Sequence, residues 1–260
     1  MAAKTHTSAV DALIREILEL ASRRPRKLTI SRIEEQFRRA SRQDYVRRLR
    51  ALFDRRQMRE LLADFREALP ALNAEVFRIQ EPRRLANVAA QLGAHFQAGR
   101  FEGEAGKSLR GFYIDDPGIS RGPLICVNTA NHPVAVASAF WHEVGHHLTN
   151  RTFDIAHPTQ LSFSSSYEDH LENPLEIAAD MVSALAAYPE PVARHLFGGF
   201  VKKGRAPDID ALVSSARTHL SAVAGFDIPL SVPATENLHY LAGVMHFIRL
   251  RWVLFSEYEI

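Results

Sequence analysis

The segment His142-Glu143-Val144-Gly145-His146 has the pattern HExxH, whose residue types and spacing suit metal chemistry. Residues i and i+4 of a helix lie one turn apart on the same face. The imidazoles of His142 and His146 can therefore converge on one divalent cation, with Glu143 beside them as a base. The pattern predicts a metal site that has its own proton acceptor.

The residues before this pattern predict the helix that must carry it. The run 134–141 contains neither proline nor glycine, and it places apolar side chains around much of a helix that starts near Pro133. Such a helix is largely buried, and an unpaired buried polar group costs about 1 to 3 kcal/mol. A bound cation would supply partners for the histidines and the glutamate. The alternative is that the histidines are hydrogen-bonded within a core or at its edge.

A catalytic zinc site has three protein ligands and one open position, so a third ligand must come from elsewhere. Residues 173–182 predict a second helix with Pro174 in its first turn. Glu176 and Asp180 share one face of this helix. We expect Glu176 to be the third metal ligand. We expect Asp180 to accept the second ring N–H of His142 and so to fix its tautomer.

Other residues near this segment compete for a place in the site. Three acidic residues precede Pro174 in a predicted loop and are alternative ligands to Glu176: Glu168, Asp169 and Glu172. Without the upstream HExxH pattern, Glu176 and Asp180 would indicate an ordinary solvated helix face. His147 points away from the first two ligands, so we expect it on the helix surface or beside the ligands rather than on the metal.

HExxH followed by ExxxD on a later helix resembles the gluzincin arrangement of zinc peptidases. The chain resembles the ImmA/IrrE family of bacterial cytoplasmic metallopeptidases more closely, in the segments GPLICVNTANHPVAVASAFWHEVGHHLTN and LEIAADMVSALAAYP within residues 78–192. It departs from that family at Val144, where leucine is frequent, and at Ala178, where a second glutamate is common. It also lacks a recognisable N-terminal helix-turn-helix of the phage-repressor kind.

This resemblance implies both a fold and a function. The expected catalytic domain is zincin-like, with a small sheet beside the active helix. The expected activity is that of a cytoplasmic zinc endopeptidase. Members of the family typically cleave transcriptional repressors in response to stress or mobile-element signals. The resemblance therefore implies a repressor-like protein substrate and a role in transcription regulation under stress.

The expected mechanism follows from the parts of the site. A metal held by the two histidines and Glu176 would lower the pKa of a bound water and polarise a peptide carbonyl. Glu143 would take the proton of that water and return it to the leaving amine, without a covalent intermediate. Zinc suits two imidazoles and a carboxylate, and manganese is the alternative. The candidates for stabilising the oxyanion, which the sequence does not rank, are Tyr167, His170, His239 and Tyr240.

The composition indicates a soluble globular protein, with 46% hydrophobic and 24% charged residues. No apolar run approaches the ~20 residues that span a bilayer, and the N-terminal segment does not have the pattern of a signal peptide. The single Cys126 excludes an internal disulfide framework and lies in an apolar, strand-like run, where we expect it to be buried. We therefore expect a reducing cytoplasm and no membrane partner.

Charge is unevenly distributed along the chain. Residues 1–60 carry 16 Lys+Arg against 8 Asp+Glu, whereas the remainder has an excess of acidic residues. We predict helices at 8–22, 30–40 and 43–68, the last one broken, with arginines crowded on the second and third: Arg38, Arg39, Arg42, Arg47, Arg48, Arg50, Arg55, Arg56 and Arg59. Residues 28–53 have the length of a helix-turn-helix, which could contact DNA. One alternative is an arginine-rich surface that is simply solvated. Another is a basic surface that docks either an acidic protein substrate or the acidic remainder of this chain.

The whole pattern predicts an α+β fold dominated by helices, in which a zincin-like catalytic domain with a small mixed sheet is flanked by helical segments. Predicted strands lie at 74–79, 110–115 and 124–128, and predicted helices at 82–96, 208–224 and 234–256. An edge strand of the sheet could hold an extended peptide by main-chain pairing. The predicted domains are a basic helical N-terminal region at 1–77, the metallopeptidase domain at 78–192 and a helical C-terminal region at 193–260.

Two functions from different classes fit these patterns. The first is the zinc endopeptidase that cuts a regulatory protein. The second is a DNA-binding transcriptional regulator whose zincin-like domain is structural or sensory and hydrolyses nothing. Glu143 favours the first function, because a purely structural metal site has no need of a base at that position.

Overall fold

A computed structural model describes residues 42–68, 82–101, 109–130, 133–153, 159–163, 174–202, 248 and 250–258, together with residues 12 and 15. Helices dominate this part of the chain, and its strands form one mixed sheet. The predicted α+β class is therefore confirmed. The predicted strand at 74–79 and the predicted helices at 8–22, 30–40 and 208–224 fall outside the described residues, apart from the isolated positions 12 and 15.

The predicted helix at 43–68 is divided in two, as its sequence indicates. Helix α1 spans Arg42–Leu52 and helix α2 spans Arg55–Ala68. Asp54 Oδ1 accepts a hydrogen bond from the backbone N–H of Gln57 at 2.8 Å, and Gln57 Oε1 accepts one from the N–H of Asp54 at 3.0 Å. This reciprocal pair is a capping box. It satisfies amide groups at the start of α2 and fixes the break between the two helices.

Helix α3 spans Pro82–Gln91 and is shorter than predicted. Gly93 adopts φ = 82°, in the left-handed region that glycine tolerates, and its N–H donates to Ala90 O at 3.0 Å. A glycine in this conformation ends a helix. The prediction that the helix continues to residue 96 was wrong, because strand β1 follows directly at His95–Gly99. Gly93 was the signal in the sequence for that boundary.

The sheet contains β1 with β2 at Leu109–Ile114, β3 at Leu124–Asn128 and β4 at Thr159–Phe163. The strand order is β1-β3-β2-β4. Strand β3 pairs in parallel with β1 and antiparallel with β2, and β2 pairs antiparallel with β4. The predicted strands at 110–115 and 124–128 are confirmed, whereas β1 and β4 were not predicted.

Two long helices lie against this sheet or against each other. Helix α4 spans Pro133–Phe153, packs on β2 and β3, and contacts β4. Helix α5 spans Pro174–Ala187 and packs along α4. Both begin at the proline that the sequence indicates for a first turn. Helix α6 spans Glu190–Lys202, and residues 251–258 are also helical, within the predicted helix at 234–256 and just beyond it.

One hydrophobic core joins these elements. It contains side chains from α1 to α6, from one face of the sheet and from residues 248–254. Leu49 and Phe53 are buried in it, so α1 and the residue after it belong to the same core as α4 and α5. The opposite face of the sheet has a second cluster that includes Cys126, which is fully buried as expected. Within the described residues, no helix combines the length and apolarity needed to cross a membrane.

Two glycines offer a matched test of the end of α3. We expect Gly93→Ala to reduce the free energy of unfolding by about 1 kcal/mol, because an L side chain at this positive φ is strained. Gly198→Ala, in the helical α6 and also without any atom near its added Cβ, should instead raise stability by about 1 kcal/mol. Urea denaturation measures both. Equal shifts of the same sign would contradict the left-handed conformation of Gly93.

Candidate metal centre

Helices α4 and α5 touch at the backbone beside the HExxH segment. A Cβ added to Gly145 would lie 2.5 Å from Ala179 O and 2.6 Å from Ala179 Cα, which is closer than real Cβ atoms approach. Close to this contact, Ser183 Oγ of α5 donates a hydrogen bond to Ser138 O of α4 at 3.2 Å. Glycine at position 145 therefore permits the close approach of the two helices that carry the predicted ligands.

Three predicted ligands converge where these helices meet. His142 Nε2 lies 3.1 Å from His146 Nε2 and 3.1 Å from Glu176 Oε2, and His146 Nε2 lies 3.6 Å from Glu176 Oε1. All three residues are buried, with relative exposures of 4%, 3% and 7%. One ligand atom from each lies within 4.8 Å of the other two. The three residues are therefore close enough to bind a metal ion.

The spacing of these atoms fits a single small ion. Two ligand atoms bound at about 2.1 Å in tetrahedral directions are about 3.4 Å apart. The two histidine nitrogens are 3.1 Å apart, and each lies 3.1 or 3.6 Å from one of the two oxygens of Glu176. Two neutral imidazoles and a carboxylate form a donor set that divalent transition metals accept. The residues present thus fit a bound cation in both spacing and chemistry.

Asp180 orients one of the histidine ligands. Its Oδ1 lies 2.6 Å from His142 Nδ1, and both side chains are buried. A carboxylate only accepts, so Nδ1 carries the hydrogen and Nε2 is directed at His146 and Glu176. A carboxylate that holds the far nitrogen of a ligating histidine fixes its tautomer and raises its basicity. Asp180 lies one turn beyond Glu176, so one face of α5 supplies both groups.

The surroundings of the two histidines shift their pKa values in opposite directions. Burial lowers the pKa of His142, but the carboxylates of Asp180 and Glu176 outweigh burial and raise it well above its ordinary value. Burial also lowers the pKa of His146, and Glu176 only partly offsets this effect. In the metal-free protein these shifts favour the doubly protonated, charged ring of His142 and the neutral ring of His146. A metal ion that binds here competes with the extra proton of His142.

Glu143 lies on a different face of α4, against the sheet. It is fully buried. A Cβ added to Gly111 of β2 would lie 3.1 Å from Glu143 Oε1 and 2.8 Å from Cys126 O. The carboxyl group is thus packed directly against the backbone of β2, at a position where the strand has no side chain.

His147 is buried rather than exposed on the helix surface. It is not among the described residues that converge on the metal position. Its Nε2 lies 2.9 Å from Leu92 O, and its Nδ1 lies 3.2 Å from the hydroxyl of Tyr113. Burial lowers the pKa of His147 and raises that of Tyr113. Sequence reasoning missed Tyr113; the signal was its position two residues after Gly111 in an alternating strand.

Several residues named from the sequence fall outside the part of the chain that the structure describes. They are the oxyanion candidates Tyr167, His170, His239 and Tyr240 and the alternative ligands Glu168, Asp169 and Glu172. Their roles stay predictions. Residues 28–41, which make up most of the segment that suggested a helix-turn-helix, also fall outside the described part of the chain.

The described arginines of α1 and α2 make several ion pairs. Arg47 binds Asp44 at 3.0 Å, and the other pairs are Arg50 with Glu257 at 3.1 Å and Arg56 with Glu60 at 3.6 Å. The pair with Glu257 joins α1 to the helix at 251–258. Carboxylates therefore neutralise part of the basic surface that the sequence indicates.

Neither a protein-family model, nor a curated protein, nor a solved structure matches the chain. The function therefore has to be inferred from the geometry of the site itself.

Proton release should accompany metal binding. Because the pKa of His142 is raised above its ordinary value, the charged ring is favoured in the metal-free protein, and we expect zinc binding near pH 7 to release about one proton. Affinity should fall about tenfold for each pH unit below that pKa. Isothermal titration calorimetry in buffers of different ionisation enthalpy counts the protons. Asp180→Asn removes a carboxylate that raises the pKa of His142, so this variant should release fewer protons than the wild type when zinc binds. Equal proton release by the variant and the wild type would contradict this account.

The helix contact can be tested through Gly145. Gly145→Ala places a methyl group against the backbone of Ala179, so the helices must separate, and we expect a loss of more than about 2 kcal/mol of stability. Because Glu176 moves away with α5, zinc affinity should fall at least tenfold. Competition with a chromophoric chelator measures affinity, and Gly198→Ala is the control. Unchanged affinity in Gly145→Ala would show that the close approach is not required.

Proposed function

We propose that this protein is a zinc-dependent endopeptidase that hydrolyses a peptide bond in a regulatory, repressor-like protein in the cytoplasm. The observation that carries the proposal is the buried convergence of His142, His146 and Glu176, with Glu143 next to His142 in the same helix. A base adjacent to a ligand of a three-ligand metal position is what metal-assisted hydrolysis requires.

The donor set favours zinc. Zinc in hydrolytic sites takes two histidines and a glutamate with a fourth position open, whereas structural zinc sites have four protein ligands. Among the described residues, three donor side chains converge. Manganese is the alternative metal, but it suits a shell richer in carboxylates than this one.

Each residue of the site has a role in the proposed reaction. When bound, zinc would acidify a coordinated water and polarise the scissile carbonyl. Glu143 accepts a proton from the attacking water and delivers it to the leaving amine as the C–N bond breaks. Asp180 holds the ring of His142 in one tautomer throughout. No covalent bond forms between the protein and the substrate.

The arrangement of the sheet is consistent with an extended substrate. Strand β4 lies at one edge of the sheet, and α4 contacts it. An edge strand has unpaired backbone groups that an extended peptide can bind by main-chain hydrogen bonds. A peptide docked on that edge would run beside the helix that carries the ligands.

The choice of target and compartment rests on the sequence. HExxH, the later ExxxD and the residues around them resemble the ImmA/IrrE family, whose members typically cleave transcriptional repressors. The buried, unpaired thiol of Cys126 is compatible with a reducing cytoplasm. The competing function, a DNA-binding regulator with a non-proteolytic metal domain, leaves the position of Glu143 unexplained.

The test is a substitution that removes the base and keeps the metal. We expect Glu143→Gln to bind zinc like the wild type and to lose at least 10³-fold in peptide cleavage, because an amide cannot accept the proton. Incubation with a peptide library prepared from a whole-cell proteome, followed by mass spectrometry of new termini, measures cleavage. Glu60→Gln, an exposed glutamate on α2, is the matched control.

Chelation should abolish cleavage by the wild type, and added zinc should restore it. The proposal is wrong if the zinc-loaded wild type and the zinc-loaded Glu143→Gln variant generate the same new peptide termini. It is also wrong if neither protein generates new termini while both bind zinc.

A further inference from the structure

Helix α4 presents a second pair of residues, four positions apart, to strand β2. The metal-binding histidines face α5, whereas Glu143 and His147 face the sheet. Glu143 lies over Gly111, and His147 lies against Tyr113. Gly111 and Tyr113 are neighbours on one face of the strand, and Glu143 and His147 are neighbours on one face of the helix, so the two pairs meet in register.

The two contacts are geometrically linked. Two residues along a strand span about 6.6 Å, and four residues along a helix span about 6 Å. Because these spans nearly match, the contact of His147 with Tyr113 determines where Glu143 lies over Gly111. The room at Gly111 is narrow, since an added Cβ would stand only 3.1 Å from Glu143 Oε1. A small slide of α4 along β2 would therefore displace the carboxylate.

Hydrogen bonds hold His147 in place from two elements. Its Nε2 lies 2.9 Å from Leu92 O, and a carbonyl oxygen only accepts, so Nε2 carries the hydrogen. Its Nδ1 is then an acceptor and faces the hydroxyl of Tyr113 at 3.2 Å. Asp115 Oδ2 lies 3.3 Å from the same hydroxyl and shares its single hydrogen with Nδ1. Both nitrogens of the ring thus face polar groups outside α4.

We propose that Tyr113 and His147 are positioning residues that hold the carboxylate of Glu143 at its place over Gly111. This inference rests on the proposed function, in which Glu143 is the base. Loss of the Tyr113 hydroxyl lets α4 shift against β2, and the Glu143 side chain then loses the narrow space at Gly111 that fixes its conformation relative to the two histidines on the same helix. The contact of Gly145 with α5 is separate, so the metal position stays closed. The pair therefore affects what Glu143 reaches, not whether a metal binds.

The experiment uses the full chain loaded with Co²⁺, whose visible absorption reports its ligands, and acetohydroxamate as the probe. The hydroxamate chelates the metal through two oxygens and gives up a proton that a neighbouring carboxylate can accept. Its affinity therefore depends on Glu143 as well as on the metal. Both Co²⁺ affinity and acetohydroxamate affinity are measured by titration, without any peptide substrate.

We expect Tyr113→Phe to retain Co²⁺ affinity within about twofold and to weaken acetohydroxamate binding about tenfold, the loss typical of one hydrogen bond to a charged group. In a Glu143→Gln background, Tyr113→Phe should weaken it no further, because the hydroxyl acts through Glu143. Tyr188→Phe, which also removes a buried hydroxyl, is the matched control and should change neither affinity.

A second variant tests the other half of the pair. His147→Asn keeps an acceptor near the position of Nδ1 and should retain more acetohydroxamate affinity than His147→Leu, which keeps none. Equal weakening of the probe by Tyr113→Phe in both backgrounds would indicate a purely structural role and overturn the proposal. So would a loss of Co²⁺ affinity in Tyr113→Phe.

The failures of the two proposals differ. If Glu143→Gln weakens the probe but Tyr113→Phe does not, only the positioning role is wrong. If Glu143→Gln has no effect on the probe, the role of Glu143 as the base fails, and the positioning role fails with it.

Discussion

The backbone contact between Gly145 of α4 and Ala179 of α5 is the constraint on which the metal centre depends. Packed helices are commonly 8–10 Å apart, and small residues at the contact allow the lower end of that range. The imidazoles of His142 and His146 have fixed lengths, so the separation of the helices decides whether Glu176 reaches the same point. Residues that never touch the ion therefore determine whether it can be held.

The burial of α4 explains why its polar residues are arranged on separate faces. A buried helix must find partners for every polar side chain within the protein, since water is not available to them. The histidines of the centre meet the acids of α5, and His147 meets Leu92, just after α3, and Tyr113 of β2. Helices α1 and α2 and the helix at 251–258 pack into the same core as α4 and α5, so the three candidate ligands lie beside a large apolar cluster. Such a medium strengthens electrostatic interactions at the centre.

The sequence predicted those features that depend on neighbours along the chain. The i, i+4 spacing of the ligands, Pro133 and Pro174 at helix starts, and the arrangement of Glu176 with Asp180 are local patterns. A break in the helix at 43–68 was also predicted, but neither its position at Asp54 nor its capping residues were identified. Features that depend on packing between distant segments were missed. The first two residues of β1 were assigned to a helix despite Gly93, and the rest of β1 was not predicted. Strand β4 is defined by its pairing with β2, and the contact of Tyr113 with His147 depends on how β2 lies along α4.

The order of the strands has a consequence for how the chain is made. Strand β3 sits between β1 and β2, although both precede it in the sequence, so β1 and β2 cannot form a sheet as they leave the ribosome. Parallel pairing of β1 with β3 closes a long loop and is slow. Helix α4 is also synthesised before α5, so its two imidazoles precede the carboxylate of Glu176 that they meet in the folded protein. During synthesis, the nascent chain can sequester no ion in a three-ligand cage before residue 176 has folded onto it.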